Sequence, residues 1–309
     1  MGITTTNEVD AGVSNYYDKM LLAFAEPKLI HMEGAQMRPI PSKSSKQIKF
    51  RRYSKFATAT APLVEGVTPT AQALSKTDIT LTVSQYGAYT VITDMVQYTV
   101  EDNVLNETGK LLGAQMGETM DEIVRDVLAS TLSATNCVAG VNGGTPTELT
   151  YSDIMGVVRT LKSADANFFT PVVRGENKMG TAPVRPSYWA FGHTDLINDL
   201  EACDKFNNVA NYSNSGVAHD AEWGQVGNTR WLLSSVGKEE AGTYSSFICG
   251  ENAYGVTKLQ EGIVENIYQE PGYGDDPLKQ RSSLGFKLLF GSRVLNHSWL
   301  IKLNSTLGS

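Results

Sequence analysis

Residues 46–94 decide the fold of this chain, beginning with KQIKFRRY (46–53) and returning with KTDITLTVS (76–84). In the outgoing stretch, Ile48 and Phe50 alternate with polar residues. A strict period of two is typical of half-buried strands, so the pattern predicts two strands joined by a long connection. The returning stretch has the same period, with its apolar residues at Ile79, Leu81 and Val83.

The returning strand changes phase after residue 84. The change lies at residues 85–87, and Tyr89 and Val91 follow it in strand-like composition. A glycine at a break of phase predicts a bulge or a sharp bend, here at Gly87.

The connection over residues 57–77 contains the chain breakers Pro62, Gly66 and Pro69 and shows no clear period. About 20 residues without regular structure are unusual inside a compact domain. Apolar residues of this connection would be exposed on an isolated chain. The interpretation that follows is an arm that lies on a neighbouring copy, and the alternative is a mobile surface loop.

Five blocks of sequence resemble the major capsid proteins of tailed bacteriophages. Blocks in the same order run from residue 16 to residue 302, and their combination is specific although each block alone is weak. The blocks are FRRY (50–53), APLVEGVTP (61–69), QYG (85–87), GENAYGV (250–256), and DPL (276–278) running on to GFK (285–287).

The resemblance implies an α+β protein with the Hong Kong ninety-seven type of capsid fold, which tailed phages share with herpesviruses. Several hundred copies would self-assemble into the icosahedral head shell of a tailed bacteriophage, enclosing its DNA genome. The implied parts are an N-terminal arm (1–45), an extended β-hairpin loop (46–94), a peripheral domain with a long spine helix (95–150), a mainly axial domain (151–255), and C-terminal strands that return to the core (256–309).

The implied partners are further copies of the chain, arranged as hexamers and pentamers. Scaffolding, portal and decoration proteins would join them, and packaged DNA would contact the inner face without sequence specificity. The protein would be made in the bacterial cytoplasm and would reside in the virion, with no membrane contact. The residues expected to contact neighbouring subunits are Arg51, Arg52, Tyr53, Pro62, Leu63, Val64, Glu65, Gly66, Val67 and Pro69.

A long helical pattern covers residues 104–133. Its apolar positions recur at spacings of 3, 4 or 7, which is typical of an amphipathic helix. Residues Gly109, Gly113 and Gly117 lie near one face, where another element can approach closely. The apolar positions assigned to the core of this spine helix are Leu105, Leu112, Met116, Met120, Ile123 and Val127. The acids assigned to its solvated face, with an active-site role as the alternative, are Glu118, Asp121, Glu122 and Asp126.

The segment from Lys43 to Lys55 is strongly basic and contains no acidic residue. One hypothesis is that these charges contact other subunits, because a basic strand finds acidic patches on copies of an acidic protein. The alternative is a DNA-binding accessory protein that uses this basic strand to follow phosphates.

The composition is that of an ordered globular protein. The net charge is −7, from 26 basic and 33 acidic residues, so the chain lacks the overall basic charge of a nucleic-acid binder. No apolar run is long enough for a membrane span, and we expect a soluble protein. The three cysteines, Cys137, Cys203 and Cys249, are widely spaced, which favours free buried thiols in a reducing compartment.

The sequence contains no recognisable catalytic motif. The histidines are scattered and none lies near a cysteine, so no metal site is predicted. His193 lies where a strand meets a helix, which favours a capping role over the alternative of a hydrolase site. Asp275 and Asp276 lack the spaced ligands of a calcium loop. The expectation is a protein without enzyme activity, cofactor or metal. The four histidines are His31, His193, His219 and His297.

The remaining sequence mixes helices and strands without regular alternation, which favours an α+β fold. Helices are predicted over residues 13–29 and over residues 194–200. A further helix is predicted to begin after the capping box formed by Thr150 and Asp153. A long loop is predicted over residues 205–229. Strands are predicted at residues 187–191, 231–236, 244–249, 284–290 and 299–303.

Overall fold

The computed structural model describes residues 29–40, 46–60, 62–63, 65–66, 68–99, 104–169, 186–212, 218–258 and 264–308. The predicted helix at 13–29 lies almost entirely outside these residues. The described α-helices are α1 (Asp94–Thr99), α2 (Val104–Ala129), α3 (Tyr151–Ser163) and α4 (Ile197–Ala202). Short 3-10 helices cover Thr194–Leu196, Val209–Asn211 and His297–Trp299. No helix in the described part of the chain is long and apolar enough to cross a membrane.

The strands form four sheets. Their bounds are β1 (Gln36–Arg38), β2 (Gln47–Tyr53), β3 (Lys76–Thr82), β4 (Ser84–Thr93), β5 (Ala134–Asn136), β6 (Tyr188–His193), β7 (Phe206–Asn208), β8 (Glu222–Val226), β9 (Thr229–Ser234), β10 (Lys238–Glu240), β11 (Thr243–Cys249), β12 (Tyr254–Thr257), β13 (Val264–Gln269), β14 (Arg281–Phe290), β15 (Ser292–Val294) and β16 (Leu300–Ser305). The largest sheet has eight strands in the order β5-β16-β11-β6-β9-β8-β7, with β10 paired to β11. The others are β1-β12-β15, β13-β14-β4 and the two-stranded ribbon β2-β3.

The two strands predicted from the alternating pattern are confirmed as β2 and β3. They pair in antiparallel register from Gln47 opposite Thr82 to Tyr53 opposite Lys76. The predicted bulge at residues 85–87 is wrong, because β4 pairs with β14 without interruption from Ser84 to Thr93. The interruption lies at Val83, between β3 and β4. Gly87 serves close strand approach instead: a Cβ there would lie 2.6 Å from the carbonyl oxygen of Phe286.

Helix α2 begins at Val104 as predicted and ends at Ala129, four residues before the end of the sequence pattern. Of the six positions assigned to its core, Leu112, Met116 and Met120 are buried. Leu105, Ile123 and Val127 are half-buried. The assignment of the acids to a solvated face is wrong for Asp121, which is completely buried by its contacts with His31.

Two hydrophobic cores lie on either side of the eight-stranded sheet. The larger one joins α2 to Phe191 and Phe247 of that sheet and to the inner face of the β13-β14-β4 sheet. The second joins α3 to the sheet through residues such as Trp231 and Ile248. The molecule is therefore an α+β protein in which one long helix connects two sheets.

The second half of the chain contains more strand than its sequence predicts. The expected long loop at residues 205–229 holds β7 and β8, and β8 pairs with β9. The Asn, Ser and Gly residues of this segment give no alternating strand pattern in the sequence. Strand β8 forms here through its pairing with β9. The capping box is confirmed, since Thr150 accepts a hydrogen bond from the Asp153 amide at the start of α3.

Candidate assembly surface

The base of the β2-β3 ribbon is fixed in a small apolar core. Phe50 is 2% exposed and packs over Gly255, where a Cβ would lie 2.6 Å from the Phe50 ring. The guanidinium of Arg38 lies 5.0 Å from the centre of the same ring. The other buried residues of this core are Ile48, Leu81, Val83 and Leu295. The ribbon therefore leaves the body of the molecule from a rigid base.

The outer face of the ribbon is charged and exposed. Arg51 Nε donates to Asp78 Oδ1 at 3.0 Å, and this hydrogen bond lowers the pKa of the Asp78 carboxyl. Lys55 Nζ donates to Asp165 Oδ2 at 2.8 Å, which lowers the pKa of Asp165 in the same way. Exposed pairs of this kind contribute little stability. Arg52 is exposed, and Tyr53 is 54% exposed.

We call residues 54–75 the loop arm. Every loop-arm residue that the structure describes is exposed, including Pro62, Glu65, Gly66 and Pro69. Its apolar members are no exception, with exposed fractions of 78% for Leu63, 62% for Leu74 and 53% for Phe56. The predicted contact residues Val64 and Val67 lie outside the described residues. The structure thus brings together two groups of predicted contact residues, one on the ribbon and one on the loop arm.

The DNA-binding alternative for the segment from Lys43 to Lys55 finds limited support in this geometry. Arg51 and Lys55 face acids of their own chain, and Lys43 lies outside the described residues. A surface whose cations are partly matched by carboxylates attracts phosphate less strongly than the sequence alone indicates.

His193 has the capping role that the sequence favours. Its Nδ1 accepts a hydrogen bond from the Asp195 amide at 3.1 Å, at the start of the Thr194–Leu196 helix. Tyr244 donates to Asp195 Oδ2 at 2.9 Å, and this hydrogen bond raises the pKa of the Tyr244 hydroxyl. These contacts fix a turn and give no observation in favour of a hydrolase site.

Asp276 also has a structural role. Its carboxylate accepts hydrogen bonds from the amides of Gly272, Gln280 and Arg281 at 2.9–3.1 Å. These bonds lower the pKa of Asp276, and the bond from Arg281 has the largest effect. Among the described residues, no group of His, Cys, Asp and Glu has the arrangement of a metal site.

No pattern in the sequence indicates the buried cluster around His31. The His31 amide donates to Asp121 Oδ1 at 2.8 Å, and His31 Nδ1 lies 2.7 Å from Asp121 Oδ2. The hydroxyl of Tyr254 donates to the His31 carbonyl. The three residues come from distant parts of the chain, so no local pattern connects them. The cluster therefore connects the segment around His31 to the middle of α2, where Asp121 lies.

The cysteines are free and buried, as predicted. Burial raises the pKa of all three thiols, that of Cys203 to about 11. These thiols are therefore protonated and unreactive near neutral pH.

A family model described as phage capsid protein matches residues 76–294, more than two thirds of the chain. No curated protein matches the sequence.

Solved structures of bacteriophage proteins have a similar fold. The head structure of Helicobacter pylori bacteriophage KHP40 is similar with a TM-score of 0.61 at 13% identity, over 89% of this chain and 87% of that one. The capsid of Ralstonia phage GP4 has a TM-score of 0.60 at 13% identity, over 89% and 87%. A chain of Microbacterium phage Oxtober96 has a TM-score of 0.60 at 11% identity, over 90% of both chains.

These findings agree with the resemblance of the sequence blocks and with the α+β architecture. At 11–13% identity, the similarity to solved structures is evidence for the fold alone. The evidence for the function is the match to the family model. The chain belongs to the phage capsid protein family: it is a major capsid protein of the Hong Kong ninety-seven type, and copies of it form the phage head shell.

Proposed function

We propose that the chain builds the shell through its loop arm, which lies on a neighbouring copy. The observation that carries this proposal is that every described loop-arm residue is exposed, including Leu63 and Leu74. An exposed apolar segment on a rigid base gains burial when a second copy covers it. The binding is a physical association, and no chemical step belongs to it.

We also propose the division of the chain that the resemblance to tailed-phage capsid proteins implies. Residues 1–45 are the N-terminal arm, 46–94 the extended loop, and 95–150 the peripheral domain with α2 as its spine helix. Residues 151–255 form most of the axial domain, and 256–309 return to the core.

The partners proposed for this chain are those of a shell that packages a genome. Copies of the chain form hexamers and pentamers, while scaffolding, portal and decoration proteins act during or after assembly. DNA contacts the inner face without specificity. The protein is made in the host cytoplasm and performs no catalysis, in keeping with the cap at His193 and the structural role of Asp276.

Replacement of the loop arm tests the proposal. Tyr53 and Lys76 are opposite each other in the ribbon, so residues 54–75 can be exchanged for a two-residue Asn-Gly turn that suits an antiparallel pair. We expect a folded subunit with an unchanged far-ultraviolet spectrum and no assembly in sedimentation.

The control is Gly144→Ser, at an exposed position of another loop where a Cβ would meet no other atom, and it leaves the loop arm intact. This variant should assemble like the unaltered protein. Normal shells from the variant with the Asn-Gly turn would show that the loop arm is dispensable.

A further inference from the structure

The loop that follows β5 is closed at its base. The Thr147 amide donates to the Cys137 carbonyl at 2.7 Å, and the Thr147 hydroxyl donates to the same oxygen at 2.9 Å. We call residues 138–146 the β5 loop. Strand β5 is the outermost strand at one end of the eight-stranded sheet, where it pairs with β16. The conformation of the β5 loop therefore affects the edge of that sheet.

Asn142 lies in the middle of the β5 loop, is exposed, and precedes two glycines in the sequence. The Asn136 amide donates to Asn142 Oδ1 at 3.0 Å, and Asn136 Nδ2 donates to the Gly143 carbonyl at 2.8 Å. No described residue accepts a hydrogen bond from the Gly143 amide. A Cβ at Gly143 would lie 2.7 Å from Val138 Cγ2, so the loop requires glycine there. The loop thus places a side-chain amide beside a backbone nitrogen that no Cβ shields.

We propose that Asn142 is a self-modification site, which converts to aspartate and isoaspartate when the Gly143 nitrogen attacks its side chain. Glycine has no Cβ, so its nitrogen approaches without steric hindrance and its backbone rotates readily. Asparagine is also among the chemically labile residues of proteins. The reaction needs water alone, and it does not depend on the loop arm.

The reaction proceeds through a cyclic intermediate. The Gly143 nitrogen loses its proton to hydroxide and forms a bond with Asn142 Cγ. Negative charge develops on Asn142 Oδ1, where the hydrogen bond from the Asn136 amide stabilises it. The side-chain nitrogen of Asn142 then takes a proton and leaves as ammonia, which completes a succinimide ring.

Water opens the succinimide ring at either of its two carbonyl carbons. Attack at the side-chain carbon gives aspartate, and attack at the backbone carbon gives isoaspartate, in which the chain continues through Cγ. In both cases asparagine and water are consumed, and the acid and ammonia are formed. The oxidation states do not change, so no oxidant is required.

Asn252 provides an internal comparison, because it is also exposed in a turn. The residue after it is Ala253, which carries a Cβ and is completely buried. The Ala253 amide also donates to the Gly250 carbonyl at 3.2 Å. The nitrogen that would have to attack Asn252 is therefore hindered and already hydrogen-bonded.

Aspartate at position 142 changes the charge of the β5 loop. The amides of Val138 and Gly140 in this loop bind the Asp153 carboxylate at 3.1 and 2.7 Å. A new carboxylate in the same loop adds a like charge to this region, and like charges repel.

Isoaspartate at position 142 changes the backbone of the β5 loop. It inserts an extra carbon atom before Gly143 and so moves the Gly143 carbonyl relative to Asn136 Nδ2. Asn136 also accepts a hydrogen bond from Asn304 Nδ2 of β16 at 2.9 Å. Loss of the contact with Gly143 therefore loosens β5 at the edge of the sheet.

Peptide mapping by mass spectrometry tests the modification. The folded protein is aged at mildly alkaline pH in water labelled with heavy oxygen, because the new carboxylate takes up the label. We expect labelled aspartate and isoaspartate to accumulate at residue 142 at least about tenfold faster than at residue 252. Equal rates at the two positions would overturn the proposal.

A synthetic peptide with the sequence of residues 138–147 tests the contribution of the fold. The peptide lacks Asn136, whose amide stabilises the charge on Asn142 Oδ1 in the protein. The folded protein should therefore convert Asn142 at least as fast as the peptide does. A rate in the protein more than about tenfold below that of the peptide would show that the hydrogen bond keeps Asn142 away from Gly143, and would overturn the proposal.

Hydrogen exchange tests the structural consequence. Amides of β5 in the aged protein should exchange at least about threefold faster than in fresh protein, because exchange follows local opening. The control is Asn142→Ser, which cannot form the ring, and its aged and fresh samples should exchange equally. Equal exchange in aged and fresh unaltered protein, with residue 142 converted, would contradict the loosening of β5.

Discussion

The buried pair of His31 and Asp121 shows how single residues hold the subunit together. Asp121 lies on α2 with both carboxylate oxygens bound to one residue, and neither partner is exposed by more than 1%. Removing one member of a buried pair leaves the other without its partner, which costs more than the pair itself contributes.

Asp121→Ala should lower the free energy of unfolding of the dissociated subunit by about 3 kcal/mol, measured by urea denaturation. The control is Glu122→Ala, its exposed neighbour on α2, which should change that free energy by less than about 0.5 kcal/mol. Similar losses for the two variants would mean that the Asp121 contacts contribute no special stability.

Asp276 makes the stability of the folded protein depend on pH. Three backbone amides lower the pKa of its carboxyl in the folded state, with the Arg281 amide first. In the unfolded chain, the pKa of an aspartate carboxyl is about 3.9. The stabilisation is therefore complete above that pH, and it disappears as the pH falls through the lower folded pKa.

We expect Asp276→Asn to reduce the urea midpoint at pH 6 and to approach the midpoint of the unaltered protein at pH 3 and below. Urea titrations of both proteins at a series of pH values measure this. The control is Asp275→Asn, at a neighbouring carboxylate that none of these amides contacts. A constant difference between Asp276→Asn and the unaltered protein at every pH would contradict the assigned role.

Helix α2 is the element that connects the two sheets, and adjacent leucines on it face opposite surroundings. Leu112 is 5% exposed and lies in the large core, while Leu111 is 70% exposed. Leu112→Ala should lower the free energy of unfolding by about 2–5 kcal/mol, through lost burial and the cavity that remains.

Leu111→Ala is the matched control, since it removes the same atoms one residue away. It should cost less than about 0.5 kcal/mol in the dissociated subunit. Urea denaturation of both variants measures the difference, and comparable losses would contradict the orientation of α2 described above.

The elements differ in how far their sequence predicts them. β2, β3 and the start of α2 follow from periodicity, because half-buried strands and helices expose one face to solvent. The end of α2 and the strand β8 do not follow, since they depend on partners elsewhere in the chain.

Only the part of the candidate site that lies within one segment can be predicted from the sequence. The exposed loop arm follows from chain breakers and apolar residues in one segment, such as Pro62 and Leu63. The row of Tyr89, Gly285 and Ile267 across the β13-β14-β4 sheet does not, because it needs three strands from separate parts of the sequence in register. The contact between His31 and Asp121 likewise joins residues 90 positions apart.

The complete molecule combines exposed apolar residues with an overall negative charge. Leu63 and Leu74 of the loop arm and Tyr89 and Val91 of the β13-β14-β4 sheet are exposed, and the net charge of −7 acts against nonspecific association. Burial contributes about 25 cal/mol per Å² of apolar surface, so a moderate contact repeated around each subunit holds a shell together.

The most direct test is negative-stain electron microscopy of the purified protein, combined with analytical ultracentrifugation over a range of concentrations. A capsid subunit predicts closed shells, tubes, or rings of five or six copies, with a sharp onset as the concentration rises. A single monomer peak at every concentration, both alone and with a macromolecular crowding agent, would contradict self-assembly of this chain.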